Sequence, residues 1–270
     1  MRLSSSRQFL SGHKIRLAGG EPTIRKDIIH IVEQLKSLRD KALKKICMMS
    51  NGVSLGRKLE KLAAAGLTHL DLSLNTLVPA KFGYITRCKG IDKVLSSLHR
   101  VVDRGLTVKL NCVPVKGFNE DELVGMARLA GKLPIHVGFI EFMPFEGNRW
   151  NEAKTAPSMA ILDNFRTVFL GIPAEVTEKP RASDSYSVPG FRGRIGFISS
   201  MMDAFCGTCN CIRQTADGRR ASQRERVAAG EAEETLVEII SMTVKRKAYK
   251  YAGIDILHTQ PNRPMVLIGG

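Results

Sequence analysis

Over the first 140 residues, short apolar runs alternate with longer stretches whose apolar positions recur at helical spacing. His13–Ala18 (HKIRLA) reads as a strand and is followed by Gly-Gly-Glu-Pro. Ile24–Leu38 has helical spacing, with Ile28, Ile29, Ile31, Val32, Leu35 and Leu38 on its apolar stripe. Ile46–Met49 predicts a second strand ending in the turn signal Ser50-Asn51-Gly52. Leu55–Ala65 predicts a helix stopped by Gly66, and Thr68–Leu74 a third strand. A helix over Ile91–Arg104 closed by Gly105 leads into a fourth strand, Thr107–Val113. Glu120–Leu133 predicts the next helix and Ile135–Phe142 (IHVGFIEF) the fifth strand.

Strands that alternate with helices this strictly imply a parallel sheet with right-handed crossovers and helices packed outside it. Were the sheet to curl, its chemistry would sit at the C-terminal strand ends. Those ends carry Gly-Gly-Glu-Pro, Ser-Asn-Gly, Ser73-Leu74-Asn75, the stretch after Lys109, and Glu141-Phe142-Met143-Pro144. After about residue 145 the pattern changes. Pro157–Leu170 predicts a helix, 178–194 a loop, Arg194–Ser200 a strand and Leu236–Lys247 a helix. The expected division is a partial barrel over 1–145 and a C-terminal region over 146–270.

Composition narrows the function classes. Hydrophobic residues make up 43% and charged residues 25% of 270, so a sizeable core can be buried. No apolar run approaches the length of a membrane span. Six cysteines in a chain this long are not a disulfide framework. The formal charge of +15 calls for an anionic partner or a solvated basic surface. With one Trp and four Tyr there is little to stack bases on, so nucleic-acid binding ranks behind binding of small phosphates. Residues 1–16 hold four basic and four serine residues and no acid, as a mitochondrial transit peptide would.

The sharpest local signal is Cys206-Gly207-Thr208-Cys209-Asn210-Cys211. Two thiolates three residues apart on a Gly-containing turn can share one metal, and the spacing alone does not choose zinc over an iron–sulfur cluster. Gly19 and Gly20 allow a ligand close to the backbone, and Glu21 could accept from a ligand amine. Arg16 and Lys109 lie inside strand runs, where a charge is costly unless it faces a ligand or partner, and Arg213 is another phosphate candidate. Met143 is by default a packing residue; Cys47, Cys88 and Cys112 are read as buried thiols and the six histidines as structural.

Taken together, KIRLAGGEPTIRKD, SNG, DLSLNTLVPAKF, VKLNCVPVKGFNEDE, FIEFMPFEGN, GRIGFISS, FCGTCN with TADG, and NRPMVLIGG resemble the molybdenum cofactor biosynthesis protein A family, with its eukaryotic branch nearest. These are the GTP 3′,8-cyclases of the radical S-adenosylmethionine superfamily, and the likeness runs from residue 13 to 270. The resemblance implies an incomplete (β/α) TIM-like barrel with a cysteine-containing extension and two 4Fe–4S clusters. The first cluster cleaves S-adenosylmethionine, and the second, held by three cysteines, holds the base of GTP. The family takes the first step of molybdenum cofactor synthesis, which makes cyclic pyranopterin monophosphate synthase the pathway partner.

Carried over by position, Gly20, Ser73 and Met143 would contact S-adenosylmethionine, and Arg16, Lys109 and Arg213 would contact GTP. Cys206 and Cys209 would be cluster ligands, and Gly269-Gly270 the tail that reaches the active site. The chain departs from the family at several places. It contains no CxxxCxxC, and it begins near the end of what would be the first helix, so residues 1–12 are read as a truncated start lacking the first strand. The third ligand of the second cluster, due near Gln223, is missing; Cys211 is the candidate substitute and stands where an Arg is expected. Met49 stands in place of Thr, and Asn75 in place of Asp. The chain as given is therefore expected to be a fragment or inactive. The alternatives are a non-catalytic relative that binds GTP or a partner, and a zinc-stabilised module that binds nucleic acid. A homodimer is expected to be compatible, and the location to be the mitochondrial matrix for a eukaryotic source and the cytoplasm otherwise.

Overall fold

The computed structural model describes residues 14–39, 43–144, 148, 150–172 and 184–198. Seven strands form one sheet: β1 (Lys14–Leu17), β2 (Lys45–Ser50), β3 (His69–Ser73), β4 (Thr107–Cys112), β5 (His136–Ile140), β6 (Asp184–Tyr186) and β7 (Arg194–Ile198). Their order is β1-β2-β3-β4-β5-β7-β6. All neighbours are parallel except β6 and β7. The helices are α1 (Ile28–Lys36), α2 (Leu59–Ala65), α3 (Pro79–Thr86), α4 (Ile91–Asp103), α5 (Leu123–Lys132) and α6 (Ser158–Val168). The sheet stays open, as expected of an incomplete barrel, with β1 at one edge among the described residues.

The alternation of side chains along each strand decides what lies where. Ile46 and Met48, Leu70 and Leu72, Val108 and Leu110, Val137 and Phe139, and Ile195 and Phe197 are all buried in one core. The same core takes Ile28, Val32 and Leu35 of α1, Leu59 and Leu62 of α2, Val94, Leu98 and Val101 of α4, and Met126 and Ala130 of α5. Helices therefore cover one face, and the intervening strand residues are turned to the other. At the β5–β7 end the core is aromatic: Phe165 of α6 stacks edge-on to Phe139 at 5.2 Å, and Phe139 lies 5.6 Å from Phe197.

Helix starts differ from expectation. Pro22–Ile24, Leu55–Arg57 and Glu120–Glu122 are 3-10 turns, and the α-helices begin only at Ile28, Leu59 and Leu123. After the first of these turns, Arg25 pairs with Asp27 before α1 begins. The stop of α2 is as read: Gly66 takes φ 112°, and Leu67 N donates to Leu62 O at 3.0 Å. Helix α3 was not foreseen. It starts on Pro79 at its N1 position and buries only Phe82, leaving Tyr84 67% exposed, so no apolar stripe announces it. Strand β6 lies in the stretch read as loop, pairing Asp184 with Phe197 and Tyr186 with Ile195. Cys88 is exposed rather than buried, its Sγ 3.3 Å from Thr86 Oγ1. The predicted helix over 236–247 lies outside the described residues.

Phe165 is fully buried among three other rings. Phe165→Ala is expected to destabilise the chain by about 3–5 kcal/mol in denaturant unfolding, while the exposed Leu170→Ala changes it by less than about 0.5 kcal/mol.

Candidate functional site

The face away from the helices is polar. It is made by Lys14 and Arg16 of β1, Lys45, Cys47 and Met49 of β2, His69, Asp71 and Ser73 of β3, Lys109 and Asn111 of β4, and His136 and Gly138 of β5. The register sets them in cross-strand rows. Met49, Asp71, Lys109 and His136 are successive partners, with Arg194 beyond His136. One row nearer the C-terminal ends, Ser73 faces Asn111, which faces Gly138.

Among the residues of β1–β5, Asp71 is the only carboxylate. Its Oδ2 lies 2.8 Å from Arg16 Nε; the Asp71 side chain is 7% exposed and that of Arg16 44%. Burial pushes the Lys109 amine below the ordinary lysine value, Asp71 opposes that shift, and Arg16 and Lys14 add to it. His136 is pushed down to about 4, chiefly by burial and further by Lys109 and Arg194. It therefore stands neutral beside the lysine at physiological pH. Gly138 makes room for Lys109: a Cβ there would lie 2.7 Å from Lys109 Cε and 3.3 Å from Asn111 Oδ1. Asn111 Oδ1 and His136 Nε2 are buried without a hydrogen-bond partner among the described residues. Such atoms are rare in folded chains and mark a place where a ligand group can bond.

The loops at the C-terminal strand ends form the rim. Gly20 takes φ 50°, and a Cβ there would meet nothing within 4 Å, so a ligand can approach this backbone closely. Glu21 does not point out to a ligand. Its Oε1 accepts from Thr23 N, Thr23 Oγ1 and Ser50 Oγ at 3.1, 2.6 and 2.9 Å, and its Oε2 accepts from Asn51 N at 2.7 Å. The carboxylate ties the loop after β1 to the loop after β2. Across the rim, Asn75 Oδ1 accepts from Val113 N at 2.9 Å, and Asn75 O from Asn119 Nδ2, which fastens the end of β3 to that of β4.

Residues 6–130 match the Radical SAM superfamily and residues 135–253 match Molybdenum Cofactor Synthesis C. The chain is 41% identical over 268 residues to the mitochondrial GTP 3′,8-cyclase of Arabidopsis thaliana, covering 96% of this chain and 68% of that one. It is 34% identical over 274 residues to the GTP 3′,8-cyclase of Clostridium perfringens, covering 95% and 81%. The chain belongs to the GTP 3′,8-cyclase family of radical SAM proteins. To molybdenum cofactor biosynthesis protein 1 of Bos taurus it is 43% identical over 265 residues, 94% of this chain but 42% of that one. It thus spans less than half the length of that relative.

Within this radical SAM fold, the residues expected at S-adenosylmethionine sit at the C-terminal ends of alternate strands. Gly20 follows β1, Ser73 ends β3, and Met143 follows β5 with its carbonyl accepting from Asn148 Nδ2 at 2.6 Å. Arg16 and Lys109, expected at GTP, share the polar face with Asp71 between them in strand order. Arg213, Cys206, Cys209, Cys211, Gly269 and Gly270 lie outside the described residues. Radical SAM membership implies a 4Fe–4S cluster and S-adenosylmethionine. The open backbone at Gly20 and the unpartnered Asn111 Oδ1 fit the second. The described cysteines do not fit the first. Cys112 is on the helix side with its thiol pushed up to about 12 by burial, Cys88 is on the surface, and Cys47 is on the polar face with its thiol pushed up by burial and no second cysteine beside it on β1–β5. No group of three or more His, Cys, Asp or Glu suited to a metal occurs among the described residues. Nor is any described helix long and apolar enough to cross a membrane.

Sequence reading passed over Asp71, Asn111 and Gly138 and took His136 as structural. Each shares the parity of Ser73 or Lys109 in the register, and that was the available signal.

His136 gives a pH test. The unfolded chain takes up this proton near 6.5 and the folded chain only at about 4. Between those values the unfolded state binds more protons, so stability is full above 6.5 and falls as pH drops toward 4. His136→Gln is expected to flatten that part of the profile, read by denaturant unfolding from pH 7.5 to 4.

Proposed function

We propose that these residues form the substrate pocket of a GTP 3′,8-cyclase that takes the first step of molybdenum cofactor synthesis. Support comes from the family and from one observation above the others: a half-buried Lys109 and a half-exposed Arg16 stand on a face whose strands β1–β5 hold a single carboxylate. A cationic face with low-dielectric walls draws in a polyanion, and a guanidinium with an ammonium suits the triphosphate of GTP. The expected third phosphate contact is Arg213, and the Gly269-Gly270 tail is assigned to the same pocket.

S-adenosylmethionine would be held at the rim by Gly20, Ser73 and Met143, and the chemistry it would supply there is a radical. The protein's own residues bind and orient. Gly20 gives close backbone approach, Glu21 fixes the Gly-Gly loop against Asn51, and Gly138 leaves Lys109 its path along the sheet. The 270 residues contain no CxxxCxxC, so the proposal concerns binding by this chain. A GTP-binding relative without the radical step would use the same cationic face. Cyclic pyranopterin monophosphate synthase is the proposed pathway partner, and a homodimer is compatible with the proposal. A mitochondrial matrix location is in line with the likeness to the mitochondrial GTP 3′,8-cyclase of Arabidopsis thaliana.

Titration calorimetry is expected to show GTP binding that weakens with added salt. Lys109→Ala and Arg16→Ala should each weaken it by about tenfold or more, about 1.4 kcal/mol. Binding that ignores both substitutions would overturn the proposal.

A further inference from the structure

We infer that Asp71 is a positioning residue of the anion site: it anchors Arg16 by an ion pair and balances the charge around Lys109, so that both cations stand ready for a phosphate chain. The inference rests on the reading of this face as the GTP site.

The geometry carries it. Asp71 is central in the sheet, 5% exposed, and bonded through Oδ2 to the inner guanidinium nitrogen of Arg16 at 2.8 Å. A carboxylate this dry is retained at a cost unless it is paired, and its partner is a half-exposed residue on the strand at the edge of the sheet among the described residues. Arg16 is thereby held over the face. On the other side Asp71 is the register partner of Lys109. Among the described residues, every other charged or titratable group around Lys109 either repels a proton there or is neutral. Arg16 and Lys14 of β1 are cationic, Arg194 of β7 lies beyond His136, and Cys47 of β2 has its thiol pushed up by burial. His69 of β3 and His136 of β5 are both pushed down by burial. Asp71 is the one group in this set that favours the protonated amine. Without it, a half-buried lysine among cations would hold its proton less firmly, and with the proton its attraction for phosphate. Because Arg16 is already held by Asp71, little reorganisation accompanies the binding of a polyanion.

The test reads Lys109 directly. In lysine labelled with carbon-13 at Cε, the Lys109 resonance is assigned by its loss in Lys109→Arg and titrated by NMR in the full 270-residue chain. Asp71→Asn keeps the shape of the side chain and removes the charge. It is expected to lower the Lys109 midpoint by about one pH unit. Affinity for tripolyphosphate should then be lost with rising pH about one pH unit earlier than in the wild type. Arg16→Gln, a change at a half-exposed side chain, removes a repelling cation and frees Asp71, and should raise the midpoint instead. A Lys109 midpoint unmoved by either substitution overturns the inference, whether or not GTP binds. A wild-type chain that binds neither GTP nor tripolyphosphate overturns the functional reading and the anion-site role of Asp71 together. The ligand-free NMR titration tells these two failures apart.

Discussion

Successive side chains of a β-strand point to opposite sides, and in this sheet that two-residue period separates packing from chemistry. Once α1, α2, α4 and α5 cover one face, the residues between the apolar positions all meet on the other. Lys109 sits between Val108 and Leu110, and Asp71 between Leu70 and Leu72, each apolar neighbour being at most 1% exposed. A slip of one residue in any of these strands would bury the charge against the helices and expose the core. The hydrophobic core therefore sets the position of each polar group on the far face, and the site inherits the rigidity of the sheet.

On that face, burial and charge work against one another. The central strands dry the site enough to push His136 to about 4 and to lower Lys109, whereas the edge leaves Arg16 half in water. Such a gradient suits a ligand with a charged tail that must be drawn from solvent and a neutral part that must be held dry. The rim is organised by carboxylate and amide side chains that serve the backbone: Glu21 between two loops, and Asn75 and Asn119 between two others. These bonds fix the strand ends at which Gly20 and Ser73 lie.

Much of the fold was legible because the strands are unusually regular. The five early runs, the parallel order and the Gly66 stop all follow from alternation and turn chemistry. Helix α3 escaped because Phe82 is its only buried residue, and β6 because three residues in a Ser-, Pro- and Gly-rich stretch make no pattern. The late helix starts reflect local competition from 3-10 turns at Pro22, Leu55 and Glu120, which periodicity does not see. In the site, Arg16 and Lys109 stood out as charges within apolar strands. Asp71 and His136 were harder: an isolated acid or histidine is ambiguous until register places it beside a lysine. Glu21 was legible as important but misjudged in direction, since its partners Ser50 and Asn51 are distant in sequence.

The most direct test of the central claim, that the polar face of this sheet receives GTP, is a crystal structure of the chain with GTP bound. The account predicts phosphate oxygens within hydrogen-bond distance of Arg16 and Lys109, with the nucleoside reaching toward the rim at Gly20 and Ser73. GTP bound on the helix-covered side, or on the polar face with its phosphates away from both cations, would contradict it.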